Sequence, residues 1–314
     1  MALKEDVKID TTTQEVLNKI DEYGFEQKGA YNLRQNGTAL CHGDTENIKI
    51  VKKTDKQGID VYISSKTQGE FVHIPVVVTA SGFTDEVYND FHVEAGANVT
   101  IVAGCGIHNS GCNDSRHDGI HSFFVGKGAS VRYEEKHYAE GNGTGKRMLN
   151  PVTKIYLEDD ASFILDTAQI GGVDSTKRAT LVELRGKDSH LTVTERLLTD
   201  NDQSAESDMD VVLIGKDTSA QIISRSVAKG ESKQIFHPNA IGRNMCHAHI
   251  QCDSIIMDKA NVKSIPEIDA EHVDAAIIHE AAIGRINDEQ LLKLKTLGLN
   301  NQEAENVIIQ NFLN

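Results

Sequence analysis

From about residue 45 onward the chain is written in short alternating runs. IKIVKK, IDVYISS and FVHIPVVVTA are rich in Val, Ile and Thr and are broken by Gly or Asp. Apolar residues at every second position put one face of an extended strand against a core, so these runs predict strands. The middle of the chain also repeats itself. EAGANVTIVA (94–103), GKGASVRYEE (126–135), EDDASFILDT (158–167), GKDSHLTVTE (186–195), GKDTSAQIIS (215–224) and MDKANVKSIP (257–266) share one plan. Each has a polar turn, usually a small residue at the fourth or fifth position, then an alternating strand. Their starts are 32, 32, 28, 29 and 42 residues apart. One strand phrase per unit of this length is the mark of a stacked array. No strong helix alternates with the strands, which argues against βαβ units. The expectation is a mainly β chain with a β-helix (solenoid) core; the alternative is a β-sandwich with similar turns.

Both ends change period. In TTTQEVLNKIDEYGF the threonines offer caps, Val16, Leu17, Ile20 and Tyr23 recur at helical spacing, and Gly24 is a stop. At the other end, Asn287 with Gln290 and Asn300 with Glu303 read as capping boxes. They open two short amphipathic helices. Leu291, Leu294 and Leu297 form one apolar stripe, and Val307, Ile308 and Phe312 form another. Such a pair either caps the array or docks a partner. The expected organisation is a helical segment over 1–40, a β core over 41–282 and a helical pair over 283–314.

Composition narrows the function classes. The chain has 314 residues, with 32 Lys and Arg against 47 Asp and Glu, a formal charge of −15. That balance, with no basic patch, disfavours nucleic acid and anionic lipid as partners. No apolar run approaches the roughly 20 residues of a membrane span. MALKEDVKID lacks the apolar core of a secretory signal, so a cytoplasmic location is expected. There, five unevenly spaced cysteines read as thiols or ligands, not as a disulfide frame. GxSxG, Walker A and HExxH signatures are absent, and GNGTGK (141–146) reads as a flexible turn. Carboxylate pairs such as Asp159 with Asp160 suit a carbohydrate-active β-helix, but aromatics are 5% with no Trp.

Two stretches hold ligand-type side chains. RNMCHAHIQCDS (243–254) contains Cys246, His247, His249 and Cys252. On a strand, His247 and His249 share a face about 7 Å apart, while Cys246 and Cys252 lie roughly 20 Å apart. The stretch is therefore a poor zinc finger. Stacking changes the geometry, because residues one coil apart become neighbours at about 5 Å. His279 and Glu280, in AIIHEAAIG, stand about 28 residues past Cys252, the spacing of the shorter repeats. If one repeat is one coil, Cys252 and Glu280 can touch; if it is two, about 10 Å parts them. The second stretch, GCGIHNSGCNDSRHDGIHS (104–122), reads as a loop carrying Cys105, His108, Cys112, His117 and His121. Thiolate with imidazole suits zinc, iron or copper, so a structural zinc protein is a competing reading. Cys41 stands beside His42 alone and reads as structural.

GRNMCHAHIQCDSIIMDKANVKSIPEI followed by HEAAIGRINDEQLLKLKTLGLNNQEAENVIIQNFL resembles the C-terminal half of the SufB/SufD family of iron–sulfur cluster assembly scaffolds. FHVEAGANVTIVAG and SRSVAKGESKQIF fit the same family, and the likeness runs from about residue 70 onward. The chain is similar to compact forms lacking most of the long SufB N-terminal extension. Met257-Asp258 stands where long SufB proteins carry an extra glycine. The resemblance implies a right-handed parallel β-helix flanked by helices and a dimer of scaffold subunits. It implies terminal helices that bind a SufC-type ABC ATPase, through Leu291, Leu292, Leu294, Leu297, Val307, Ile308 and Phe312. It also implies a transient iron–sulfur cluster, a cysteine desulfurase or other sulfur donor, apo recipient proteins, and a scaffold that does not itself hydrolyse ATP. The family's functional cysteine falls on Cys252, its glutamate on Glu280 and the adjacent histidine on His279. Their joint presence favours a homodimer. Cys246, His247, His249, Cys105, His108 and Cys112 stay candidate further ligands by residue chemistry alone.

Overall fold

A computed structural model describes residues 9–21 and 29–313. The alternating runs wind into a parallel β-solenoid of about eight turns with two eleven-stranded walls. One wall ends in the strands Cys246–Ile256 and Ala275–Gly284; the facing wall ends in Lys233–Gly242 with Asn261–Ser264 and Glu267–Ala270. Each repeat is one coil. Ser130 lies beside Asn98 on one side and Ser162 on the other, and Ser162 lies beside His190. The anomalous last step has a topological cause. Asn261 in the phrase beginning at Met257 pairs with Lys233, so this phrase belongs to the facing wall, about half a coil further on.

The repeated turn also has a physical reason. Gly96, Gly128, Asp160, Asp188, Asp217 and Asp258 have φ between 53° and 74°, the left-handed region that Gly and Asp tolerate best. The next residue then turns into the coil: Ala97, Ala129, Ala161, Ser189 and Thr218 are almost fully buried, and only a small side chain fits there. Along each strand the inward positions fill the lumen, with Tyr133, Phe91, Phe123 and Phe163 among the most buried side chains.

The two ends of the solenoid differ. The N-terminal end is closed by antiparallel pairs, Gly29–Gln35 with Thr38–Gly43 and Ile48–Lys52 with Gly58–Ile63. Helix α1 (Thr11–Ile20) lies on the outside of the first wall, burying Val16, Leu17 and Ile20. Gly104 and Gly106 admit it, since a Cβ on either would meet Ile20 or Val16 at 2.8 Å or less. The α1 cap is Asp10, which accepts from the Thr13 amide; the expected threonine caps lie inside the helix. The expected helical segment over 1–40 is thus helical only at Thr11–Ile20 among the described residues, and strands begin at Gly29. Tyr23 and Gly24 lie outside the described residues. At the C-terminal end the last coil has open edges, and Ile265, Ile268, Val273, Ile278 and Ile283 are exposed, Val273 by 92%.

Two helices follow, α2 (Asp288–Thr296) and α3 (Asn301–Leu313). Asn300 and Glu303 close a reciprocal capping box at 2.8 and 2.9 Å. Asn287 caps α2 by accepting from the Glu289 amide. The apolar stripes differ from expectation. Ala304 and Ile309 are the buried residues of α3, which touches the strand Thr218–Ala228, while Val307, Ile308 and Phe312 are half-buried. In α2, Leu291 and Leu294 are half-buried and Leu292 is exposed; Leu297, at its C-cap, is 79% exposed. No helix among the described residues is long and apolar enough to cross a membrane.

Candidate functional site

The strand Cys246–Ile256 alternates cleanly. Cys246, Ala248, Ile250 and Cys252 face the lumen, and His247, His249 and Gln251 face outward. Its neighbour Ala275–Gly284 pairs Ile250 with His279, Gln251 with Glu280 and Cys252 with Ala281. The step between these coils places Glu280 one position off Cys252. In a sheet with period two, one position is the difference between faces. His279 therefore shares the lumenal face with Cys252, and Cys252 Sγ lies 3.2 Å from His279 Nε2. Glu280 faces outward, 3.6 Å from His249 Nε2. The expected contact of Cys252 with Glu280 is not made within the chain, although one repeat is one coil.

Electrostatics define the resting form of the inner pair. Burial pushes the Cys252 thiol up to about 11, helped by the charges of Glu195 and Asp253. Burial lowers His279, as does the neighbouring His249. At neutral pH the pair is thus a thiol donating to a neutral imidazole, with Nε2 as the acceptor. Both lie on the last two strands of their wall, where Cys252 lines a small pocket with Ser224, Ser254 and Ser264 and with the apolar Ile235, Phe236 and Val262.

The other candidate ligands are dispersed. Cys246 lies at the start of the same strand, facing the lumen, its thiol raised by burial, and His247 faces outward. The stretch 104–122 is a loop only over residues 109–114; the rest belongs to the strands Asn98–His108 and Ser115–Val125. Cys105 is packed among Val78, Ile107, Ala139 and Leu149, and burial holds its thiol well above the usual range. His108 pairs with Glu140 at 3.2 Å, His117 with Asp85 at 3.1 Å, and Cys112 is exposed on the loop. Among the described residues no three His, Cys, Asp or Glu side chains converge as a metal site. The zinc reading of 105–121 therefore loses its geometric basis.

The lumen also holds charges that the motif search passed over. Arg178 Nη1 donates to Glu135 at 2.6 Å, and its Nε lies 3.4 Å from Glu195, which accepts from Ser207 Oγ. Tyr133 Oη donates to Glu135, and His137 lies beside the same pair. All are buried. Burial works against Glu135, yet His137 and Arg178 hold it well below the usual carboxylate range. Glu195 is raised by burial. Register stacks Glu135, Thr167, Glu195, Ser224 and Cys252 in one column, each beside the next. The signal was present in the sequence as charged residues at the apolar phase of alternating strands, such as Glu135 after Val131 and Tyr133.

Among the described residues the fold is thus a parallel β-solenoid whose last two strands in one wall carry a thiol–imidazole contact. Residues 81–312 match the family model described as SUF system FeS cluster assembly, SufBD core domain, and the chain belongs to that family. It is 26% identical over 272 residues to an iron–sulfur cluster assembly SufBD family protein of Archaeoglobus fulgidus, covering 84% of this chain and 71% of that one. It is 24% identical over 282 residues to the iron–sulfur cluster assembly protein SufB of Bacillus subtilis, covering 84% and 59%. Against a SufBD family protein of Methanothermobacter thermautotrophicus it is 25% identical over 228 residues, covering 72% of this chain. That match spans 54% of the methanogen protein, about half its length.

Proposed function

We propose that the chain is a cytoplasmic scaffold on which iron–sulfur clusters are assembled and from which they pass to recipient proteins. It works as a homodimer with a SufC-type ABC ATPase, and a cysteine desulfurase or other donor supplies sulfur. ATP hydrolysis belongs to the ATPase partner. The observation that carries this reading is the Cys252–His279 contact of 3.2 Å on the last two coils of an open solenoid end. Cys252 is a soft ligand for iron. As iron meets the sulfur, the thiol proton leaves to His279 Nε2, which is neutral and in place to accept it. Glu280 with His249 offers harder, exchangeable donors on the outer face of the same two strands. Among the described residues one chain supplies too few converging donors, so a second copy completes the site. Open edge strands and exposed isoleucines favour pairing there. A cluster held by mixed ligands is released more readily than one held by four thiolates.

The test is anaerobic reconstitution with iron and sulfide, read by absorption and by labile-sulfide content, for Cys252→Ala, Cys105→Ala and Cys112→Ala. Cys252→Ala should lose the cluster, and Cys112→Ala should retain it. Full cluster content in Cys252→Ala, or a colourless wild-type protein with stoichiometric zinc, would refute the reading.

A further inference from the structure

The closed N-terminal end of the solenoid contains a cavity of about 470 Å3, lined by Asn32, Arg34, His42, Lys52, Gln57 and the apolar floor of Ile50 and Ile59, with glycines and small residues at the rim. That volume is within the range of small-ligand sites. Its residues lie outside the stretch 81–312 that the family model matches.

The charge of this cavity runs against the rest of the molecule. The chain carries a formal −15, yet the described lining holds two cations, a histidine and no carboxylate. Asn32 and Arg34 are inward positions of the strand Gly29–Gln35, 5% and 7% exposed. His42 is the cross-strand neighbour of Asn32. On the facing wall Lys52 shares the inward phase of Ile48 and Ile50. Arg34 is fixed from behind: its Nη2 donates to Asp85 at 3.2 Å and to the Gly37 carbonyl at 3.1 Å. Its Nε, buried, has no partner among the described residues. Among the described residues the side-chain amide of Asn32 makes no hydrogen bond and Lys52 makes no ion pair. Leaving the buried Arg34 Nε unmatched is costly, and an anion with several acceptor oxygens satisfies it together with the Asn32 side-chain amide and the exposed Lys52 ammonium.

We propose that the N-terminal mouth of the solenoid binds a small multivalent oxyanion, of phosphate or dicarboxylate type, between Lys52 and the Asn32–Arg34 pair. Asn32 and Arg34 supply fixed donors, and Lys52 closes over the ligand from the opposite wall. The site lies at the end of the solenoid remote from Cys252 and needs no iron, so its failure and the failure of the scaffold reading are separately visible.

The test uses the full chain, without metal, titrated with orthophosphate and followed by phosphorus-31 line broadening at constant ionic strength. Saturable broadening is expected. In Lys52→Gln, an exposed position that leaves folding intact, affinity should fall about tenfold, the effect of losing one charge-assisted contact. Asn32→Leu should weaken it further, with circular dichroism checking the fold. Lys127→Gln is the control, a turn lysine already near Asp159 and Asp160, and should bind as wild type. Displacement of phosphate by succinate assigns the site to both chemistries; retention in excess succinate restricts it to phosphate. Absence of saturable broadening, or equal losses in Lys52→Gln and Lys127→Gln, overturns the proposal.

Discussion

Cys252 Sγ and His279 Nε2 lie 3.2 Å apart on neighbouring coils, while Glu280, one residue along, points through the other face of the wall to His249. Cys252 is buried and His279 half-buried, the pair is neutral at rest, and the thiol is raised to about 11. Alkylation by iodoacetamide at pH 8 should therefore modify exposed Cys112 well before Cys252, since the thiolate is the nucleophile. Mass spectrometry of timed digests reads the order. Faster labelling at Cys252 would show that the thiol is ionised and accessible.

Leu292 and Leu297 are the exposed leucines around α2, whereas Ile309 seats α3 on the solenoid. The double substitution of Leu292 and Leu297 by Asp should abolish co-purification with the proposed SufC-type ATPase partner. It should leave stability within about 0.5 kcal/mol, as surface changes usually do. Ile309→Asp should instead lower the melting temperature. Retained ATPase binding in the double variant would move the docking surface elsewhere.

Arg178 bridges Glu135 and Glu195 inside the lumen. Arg178→Met leaves both carboxylates without their cation, so denaturant unfolding should show a loss of about 3–5 kcal/mol. A loss under 1 kcal/mol, or about that of a surface change, would mean the lumen admits enough water to solvate them.

His121 is fully buried, and burial lowers it to about 4 from an ordinary value of 6.5. In the unfolded chain it takes a proton below 6.5, and in the folded chain only near 4. Its contribution is present above pH 6.5 and is lost progressively as pH falls to 4, by about 3 kcal/mol at most. Unfolding free energies at pH 7 and pH 4.5 should show a shallower decline for His121→Phe than for wild type. Parallel declines would assign the acid sensitivity to other groups.

The solenoid was legible because its cause is local. A left-handed turn needs Gly or Asp, the coil corner needs a small residue, and the wall needs alternation, so the same phrase recurs at each coil. The capping box at Asn300 and Glu303 was legible for the same reason. Charges at the apolar phase, Glu135 and Arg178 among them, were visible in the sequence, but nothing local marked them as partners.

What only the tertiary structure decided was register. The residue types at 252, 279 and 280 and a repeat of 28 to 32 residues could be read from the sequence, but not whether one repeat makes one coil or two. A strand exposes alternate faces at every step, so that residual uncertainty is the whole difference between a carboxylate beside the thiol and one behind it. Coil stacking, set by backbone pairing along two full walls, gave Cys252 to His279 and Glu280 to His249. It likewise gathered Asn32, Arg34 and Lys52, from strands paired in different walls, around one cavity.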